Sequence, residues 1–180
     1  MIRGAVMIFR ELETDRLVLK NIGYEDIPFI YKEFSTDEVN MYLFDAEPVN
    51  SDEEAKRIID FYVEPEPRNQ HRWIIILKEN NEKIGTCGFH CWNTNTHEIE
   101  LGYDLQPDYW RNGYMGEALA AILAFSKNEM RTNKVFAHIY PDNIASVNTA
   151  KKAGFVRTGK QYLFIFRGEK YLHDIYFLEQ

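Results

Sequence analysis

The sequence has little of what marks the specialised protein classes. Its two cysteines, Cys87 and Cys91, are too few for a disulfide framework. With His90 and His97 nearby they invite a zinc site, but the CxxC spacing is missing and small core thiols are the expected role. The five histidines, His71, His90, His97, His138 and His173, are scattered without ligand spacing, and no metal is expected; His138 reads as a packed strand residue. No apolar run approaches the ~20 residues of a membrane span. The opening MIRGAVMIFRE holds a five-residue apolar stretch, too short for a signal-peptide core, so a cytoplasmic location is expected; Met7 offers an alternative start. Basic charge is also short. Lys and Arg number 21 against 28 Asp and Glu, a net charge of −7, which argues against a nucleic-acid footprint and suits a cationic partner. The phosphate-loop pattern GxxxxGK[ST] is absent, no GxGxxG follows a strand, and no internal repeat or low-complexity segment occurs.

What is present specifies a packed core. Hydrophobic residues make up 45% of the 180 and aromatics 14%, so disorder is excluded. A chain of this length buries roughly 70% of its unfolded surface without staples. One domain over residues 1–180 is expected, with 1–10 as an N-terminal extension.

In chain order, LETDRLVLK alternates as a strand with Leu17 and Leu19 on one face. Asp26 then offers an N-cap, and Ile27, Ile30, Tyr31 and Phe34 fall at helical spacing. A second helix opens at Ser51 with a Ser51–Glu54 capping box, burying Ala55, Ile58, Ile59 and Tyr62. HRWIIILK and KIGTCGFHC read as a hairpin around a polar turn. Strand VFAHIY precedes a helix with Asn143 as N-cap and Gly154 as its stop, and short aromatic strands close the chain around RGEK.

The stretch that organises the rest runs from Glu98 to Glu129. Ile99, Leu101, Tyr103 and Leu105 point to one face of a strand; Glu98, Glu100, Gly102 and Asp104 point to the other. Gly102 is the expected bulge. A turn at Pro107 and a glycine-bearing loop then lead into a long helix opening near Gly113. Successive backbone N–H groups at the positive end of that helix suit a phosphate-bearing ligand.

This stretch resembles motif A of the GNAT N-acetyltransferases, Q/R-x-x-G-x-G/A, in the form YWxxGYxxEA of the RimJ/RimL branch. Trp110 stands where Gln or Arg is general, Gly113 is the central glycine, and Met115 departs from the usual Gly or Ala. The helix after VFAHIY is similar to motif B, matched by Asn143, Ser146, Lys152, Gly154 and Phe155. The opening LETDRLVLK is similar to the start of the same branch. The resemblance implies a mixed α/β GNAT fold, with a mostly antiparallel twisted sheet, one splayed strand and flanking helices. It implies acetyl-CoA as co-substrate, its pyrophosphate wrapped by Trp110, Arg111, Asn112, Gly113, Tyr114, Met115 and Gly116. Its pantetheine would pair with strand backbone around Tyr103 to Leu105 and with Asn143, and Ser146 would lie toward the thioester.

It further implies direct attack of an amine on the thioester in a ternary complex. Glu100 is the first candidate for the base, acting through water, with Glu98 and Asp104 behind it. Many members of the family carry a Tyr four residues before the motif B glycine as acid; Ala150 stands there instead, and Ser146 is the nearest substitute. Tyr42, Phe44, Phe61 and Tyr62 are candidates for acceptor contact. The expected acceptor is a protein N-terminal α-amine, such as that of a ribosomal protein. A polyamine or aminoglycoside acetyltransferase and a non-catalytic acyl-CoA sensor are the alternatives. The late aromatic strands are expected to pair two copies.

Overall fold

A computed structural model describes residues 9–180. The order is β1 (Leu12–Glu13), β2 (Leu17–Asn21), α1 (Ile27–Ser35), α2 (Asp37–Asn40), α3 (Asp52–Tyr62), β3 (His71–Leu77), β4 (Lys83–Asn93) and β5 (Glu98–Leu105). Then follow α4 (Tyr114–Asn128), β6 (Lys134–Ile139), α5 (Ile144–Lys152), β7 (Val156–Phe166) and β8 (Glu169–Glu179). The strands form one eight-stranded sheet, ordered β1-β2-β3-β4-β5-β6-β8-β7. All neighbours are antiparallel except β5 and β6. This is the expected GNAT architecture.

Helices cover both faces because the inner strands are apolar on both. Trp73, Ile75, Phe89, Ile99 and Leu101 pack with Ala118, Leu119 and Ile122 of α4 and Val147 of α5. Ile74 faces the other way, against Phe29 and Ile30 of α1 and Ala55 and Ile59 of α3. The period-two alternation of each strand assigns its residues to these two layers.

Local differences from the sequence reading have identifiable causes. The single strand expected over Leu12–Lys20 is two short strands, because Thr14 turns the chain: its N–H donates to the Leu17 carbonyl at 2.9 Å, closing a turn between them. At Ser51 half of the capping box forms. Ser51 Oγ accepts from the Glu54 N–H at 3.2 Å, while Glu54 Oε2 accepts from the Asn50 N–H at 2.8 Å. Cys87 is a core thiol as expected, whereas Cys91 is exposed. No helix among the described residues is long and apolar enough to cross a membrane.

Gly102 is not a bulge. It pairs in register with Gly88, and the irregularity of that ladder lies between His90 and Asn93. The glycine is needed for space instead: a Cβ at Gly102 would meet His90 Nε2 at 3.2 Å and Arg72 Nη2 at 3.4 Å. Gly88, opposite it, is tighter still, since a Cβ there would sit 2.2 Å from the His71 carbonyl oxygen and 2.8 Å from Arg72 Cα. Both obstacles are backbone atoms of the neighbouring strand. Gly88→Ala is therefore expected to cost on the order of 2–3 kcal/mol of stability, as overpacking without relief does; a urea midpoint within error of the parent's would refute this.

Candidate active site

The loop after β5 is built to leave backbone N–H groups free. A 3₁₀ turn at Pro107–Tyr109 ends in Trp110, whose indole N–H donates to the Leu105 carbonyl at 2.7 Å and ties the loop to the strand end. Arg111 and Gly113 adopt positive φ, 64° and 80°, which turns the chain sharply into α4. No side chain caps α4, and its first internal bond at this end is Glu117 N–H to the Gly113 carbonyl, 3.1 Å. The amides of Tyr114, Met115 and Gly116 are those that an N-terminus leaves for a ligand. Gly116 faces open space, with nothing within 4 Å of a Cβ built there. Met115 points the other way, buried in the core. Its departure from the motif thus falls on the sheet side of the helix and leaves the approach to the amides clear.

A clamp absent from the sequence reading holds this loop. Glu117 accepts from Thr14 Oγ1 at 2.5 Å, from the Arg16 N–H at 2.8 Å and from Arg16 Nε at 2.7 Å. Arg16 also donates to the Asn112 carbonyl at 3.1 Å, and its guanidinium lies 4.5 Å over the Tyr114 ring. Its sequence signal was the Glu of YWxxGYxxEA, which had no assigned partner.

Beside the loop, β5 and β6 part. They pair only from Glu98–Lys134 to Glu100–Phe136, although β5 continues to Leu105 and β6 to Ile139. The gap opens after Glu100 and takes in Tyr103 to Leu105, the stretch expected to be splayed. Two chemically different faces meet there. On the α4–α5 face, Ser146 Oγ donates to Tyr103 Oη at 2.8 Å and Tyr103 Oη donates to the Ser146 carbonyl at 3.1 Å. Burial pushes the Tyr103 phenol up to about 12, so it stays neutral. Asn143 caps α5, its Oδ1 accepting from the Ser146 N–H at 3.1 Å. The structure thus gathers Tyr103, Asn143 and Ser146, and adds a hydroxyl where Ala150 has none. The Tyr103 side chain was missed because only its backbone had been considered.

On the opposite face, Glu100 sits at the last rung before the gap. His138 Nδ1 lies 3.2 Å from Glu100 Oε1, so His138 is not merely a packed strand residue. Burial would raise the Glu100 carboxyl, but the interaction with His138 outweighs it and holds it below the usual range. His90 is the cross-strand partner of Glu100 on β4. Burial, with Arg72 adding to it, pushes His90 down to about 4 and keeps it neutral. Tyr62 is buried, its hydroxyl 3.2 Å from His90 Nε2, and Phe61 is exposed beside it. Phe44 stacks on Tyr171 at 3.8 Å, and Tyr42 stacks on Tyr140 at 5.9 Å. A recess of about 330 Å³ opens there, lined by Leu43, Phe44, Pro48, Phe166 and Tyr171 among others. Of the other carboxylates weighed as bases, Glu98 accepts from Thr96 at 3.1 Å and Asp104 is committed elsewhere.

That commitment is a buried polar cluster beneath α1. Arg72 Nη1 donates to Asp104 Oδ2 at 2.8 Å and to Thr86 Oγ1 at 2.7 Å, and Thr86 Oγ1 donates to Asp104 at 2.6 Å. Glu33 of α1, fully buried, accepts from Gln106 Nε2 at the head of the loop. Burial, with the Asp104 charge adding to it, pushes the Glu33 carboxyl up to about 9, so it is a neutral acid at pH 7.

A family profile described as "Acetyltransferase (GNAT) domain" matches residues 16–156. The chain belongs to the GNAT acetyltransferase family. A relative, the uncharacterized N-acetyltransferase YoaA of Bacillus subtilis, is 33% identical over 160 residues, covering 87% of this chain and 90% of that one. Among solved structures, a GNAT-family acetyltransferase from Bacillus anthracis aligns with TM-score 0.82 at 22% identity, covering 94% of this chain and 98% of that one. Spermidine N-acetyltransferase from Vibrio cholerae, in complex with CoA and spermine, aligns with TM-score 0.80 at 18% identity, covering 93% and 97%. Like its family, the chain is an acetyl-CoA-dependent N-acetyltransferase acting on an amine. The uncapped α4 terminus and the open Gly116 position fit a pyrophosphate-bearing co-substrate.

The buried Glu33 carboxyl gives this enzyme a stability signature. Folding raises it from an ordinary 4.5 to about 9, so its contribution is fully present below about 4.5 and is lost as pH rises towards about 9. Glu33→Gln is neutral in both states and lacks that slope. The variant is expected to gain on the parent steadily between pH 5 and 9 in chemical-denaturation midpoints; a pH-independent difference would show that Glu33 is ionised in the fold.

Proposed function

We propose that the enzyme acetylates a polypeptide N-terminal α-amine, in the manner of the RimJ/RimL branch, by direct transfer through the gap between β5 and β6. The observation that carries this reading is the placement of Glu100, ionised at the last rung, with Tyr103 and Ser146 on the opposite face. Arg111 to Gly116 hold the pyrophosphate of acetyl-CoA through main-chain N–H groups, with Trp110 bracing the loop. Backbone of Tyr103 to Leu105 and the Asn143 side chain hold the pantetheine. Acetyl-CoA supplies the activated acyl carbon. Glu100 accepts the amine proton through water as the N–C bond forms. The C–S bond breaks towards the Tyr103–Ser146 hydroxyl pair, which hydrogen-bonds the departing thiolate; a thiol of pKa about 8.5 leaves without obligatory protonation.

The modest acid–base set favours an α-amine. At pKa about 7.7 to 8.0 such an amine is roughly 10 to 20% neutral at pH 7, against roughly 0.04% for a lysine at about 10.4. The difference, about 3.5 kcal/mol, is deprotonation that one carboxylate need not supply. The aromatic wall of Phe44, Tyr140 and Tyr171 offers a surface for the side chain next to that amine. The exposed edge strand β7, carrying Tyr162, Leu163 and Ile165, is the surface on which the expected pairing of two copies rests.

Thiol release from acetyl-CoA, followed with a set of N-terminal peptides and with spermidine, tests the acceptor. Peptide-dependent release at least tenfold above spermidine supports the reading; the reverse order replaces it with a polyamine acceptor. Glu100→Gln is expected to lower kcat by about 10²- to 10⁴-fold, the range of a lost general base, with acetyl-CoA affinity retained in calorimetry. Unchanged turnover removes Glu100 from the mechanism.

A further inference from the structure

His138 is positioned more tightly than packing alone requires. It lies on β6 two residues beyond Phe136, the last to pair with β5, and on the same face as Glu100. From β7, Tyr162 stacks on its ring at 4.9 Å and 9°, and Phe164 meets it at 6.2 Å and 66°. From β8, His173 packs against Phe164 at 4.5 Å. The two β7 rings thus hold the plane of the imidazole, with Phe164 itself packed by His173, and Nδ1 is 3.2 Å from Glu100 Oε1. An ionised carboxylate only accepts, so Nδ1 carries the proton. The contact engages Oε1. His90, the other imidazole near this carboxylate, is turned to Tyr62 and Arg72, at 3.2 and 3.4 Å from its Nε2.

We propose that His138 is a positioning residue for acetyl transfer, orienting the Glu100 carboxylate at the β5–β6 gap through the Nδ1–H bond. This rests on the assignment of Glu100 as base, and it makes a separate claim. The carboxylate is at the end of a two-torsion arm beyond Cβ, and without an anchor its oxygens sweep through positions out of line with the gap. A close contact from a ring held by stacking selects one of them. General-base catalysis is sensitive to such placement because the proton must pass over a single hydrogen-bond length or one water.

The test uses the full chain, with four variants and the same peptide acceptor. His138→Phe keeps the stacking on Tyr162 and removes the donor. His138→Asn places an amide N–H close to where Nδ1–H was. Glu100→Gln, alone and combined with His138→Phe, separates the two claims. His138→Phe is expected to lower kcat by 10- to 100-fold with acetyl-CoA affinity within twofold of the parent. His138→Asn is expected to recover at least tenfold of a hundredfold loss, or most of a smaller one. In the Glu100→Gln background, His138→Phe should cost no more than twofold further. Near-parental kcat in His138→Phe, no rescue by Asn, or full additivity with Glu100→Gln would each overturn the proposal. Parental activity in Glu100→Gln would instead bring down the assignment of the base itself.

Discussion

Hydrogen bonding between β5 and β6 lasts for three residue pairs and then stops, and the chemistry of the molecule depends on that stop. Backbone groups past the last rung still need partners, so an abandoned strand edge in a sheet interior is costly unless something else can pair with it. Here the edge lies beside an uncapped helix terminus, α4, and a capped one, α5. One face of the gap holds hydroxyls and the other a carboxylate. Which side chain appears on which face follows from strand alternation alone: Tyr103 is three residues from Glu100 and so lies opposite it.

The sheet around the gap is arranged to keep stray charge away from Glu100. Arg72, a buried cation within reach of His90, is neutralised by Asp104 and flanked by the Tyr62 ring at 5.0 Å. The glycine at 102 makes room for its guanidinium, and Glu33 next to the cluster stays protonated. A buried pair of this kind contributes little to net stability, since desolvation consumes most of its Coulombic gain. Its effect is on the local field: Asp104 is spent on Arg72, and Glu100 is left as the ionised carboxylate at the gap.

Much of this was legible in the chain. The alternation from Glu98 to Leu105 assigned the two faces of β5 correctly, and Gly113 and Asn143 marked the helix starts because capping chemistry is local. Three things were not. Met115 looked like an obstacle because a motif records positions and not the phase of the helix; one residue on, Gly116 is the one that faces outward. Gly102 looked like a bulge because the strand alone does not show that Arg72 crosses beside it. Tyr103 with Ser146, and Glu100 with His138, depend on which elements become neighbours across about 40 residues of chain, and such long-range pairing leaves no periodic trace in sequence.

The hydrogen bond between Glu33 and Gln106 ties α1 to the residue from which the loop before α4 departs. Both ends are buried, so neither can shift far without the other. Were a co-substrate at the loop and an acceptor beside α1 both to settle this bond, each would raise the other's binding affinity by the same factor.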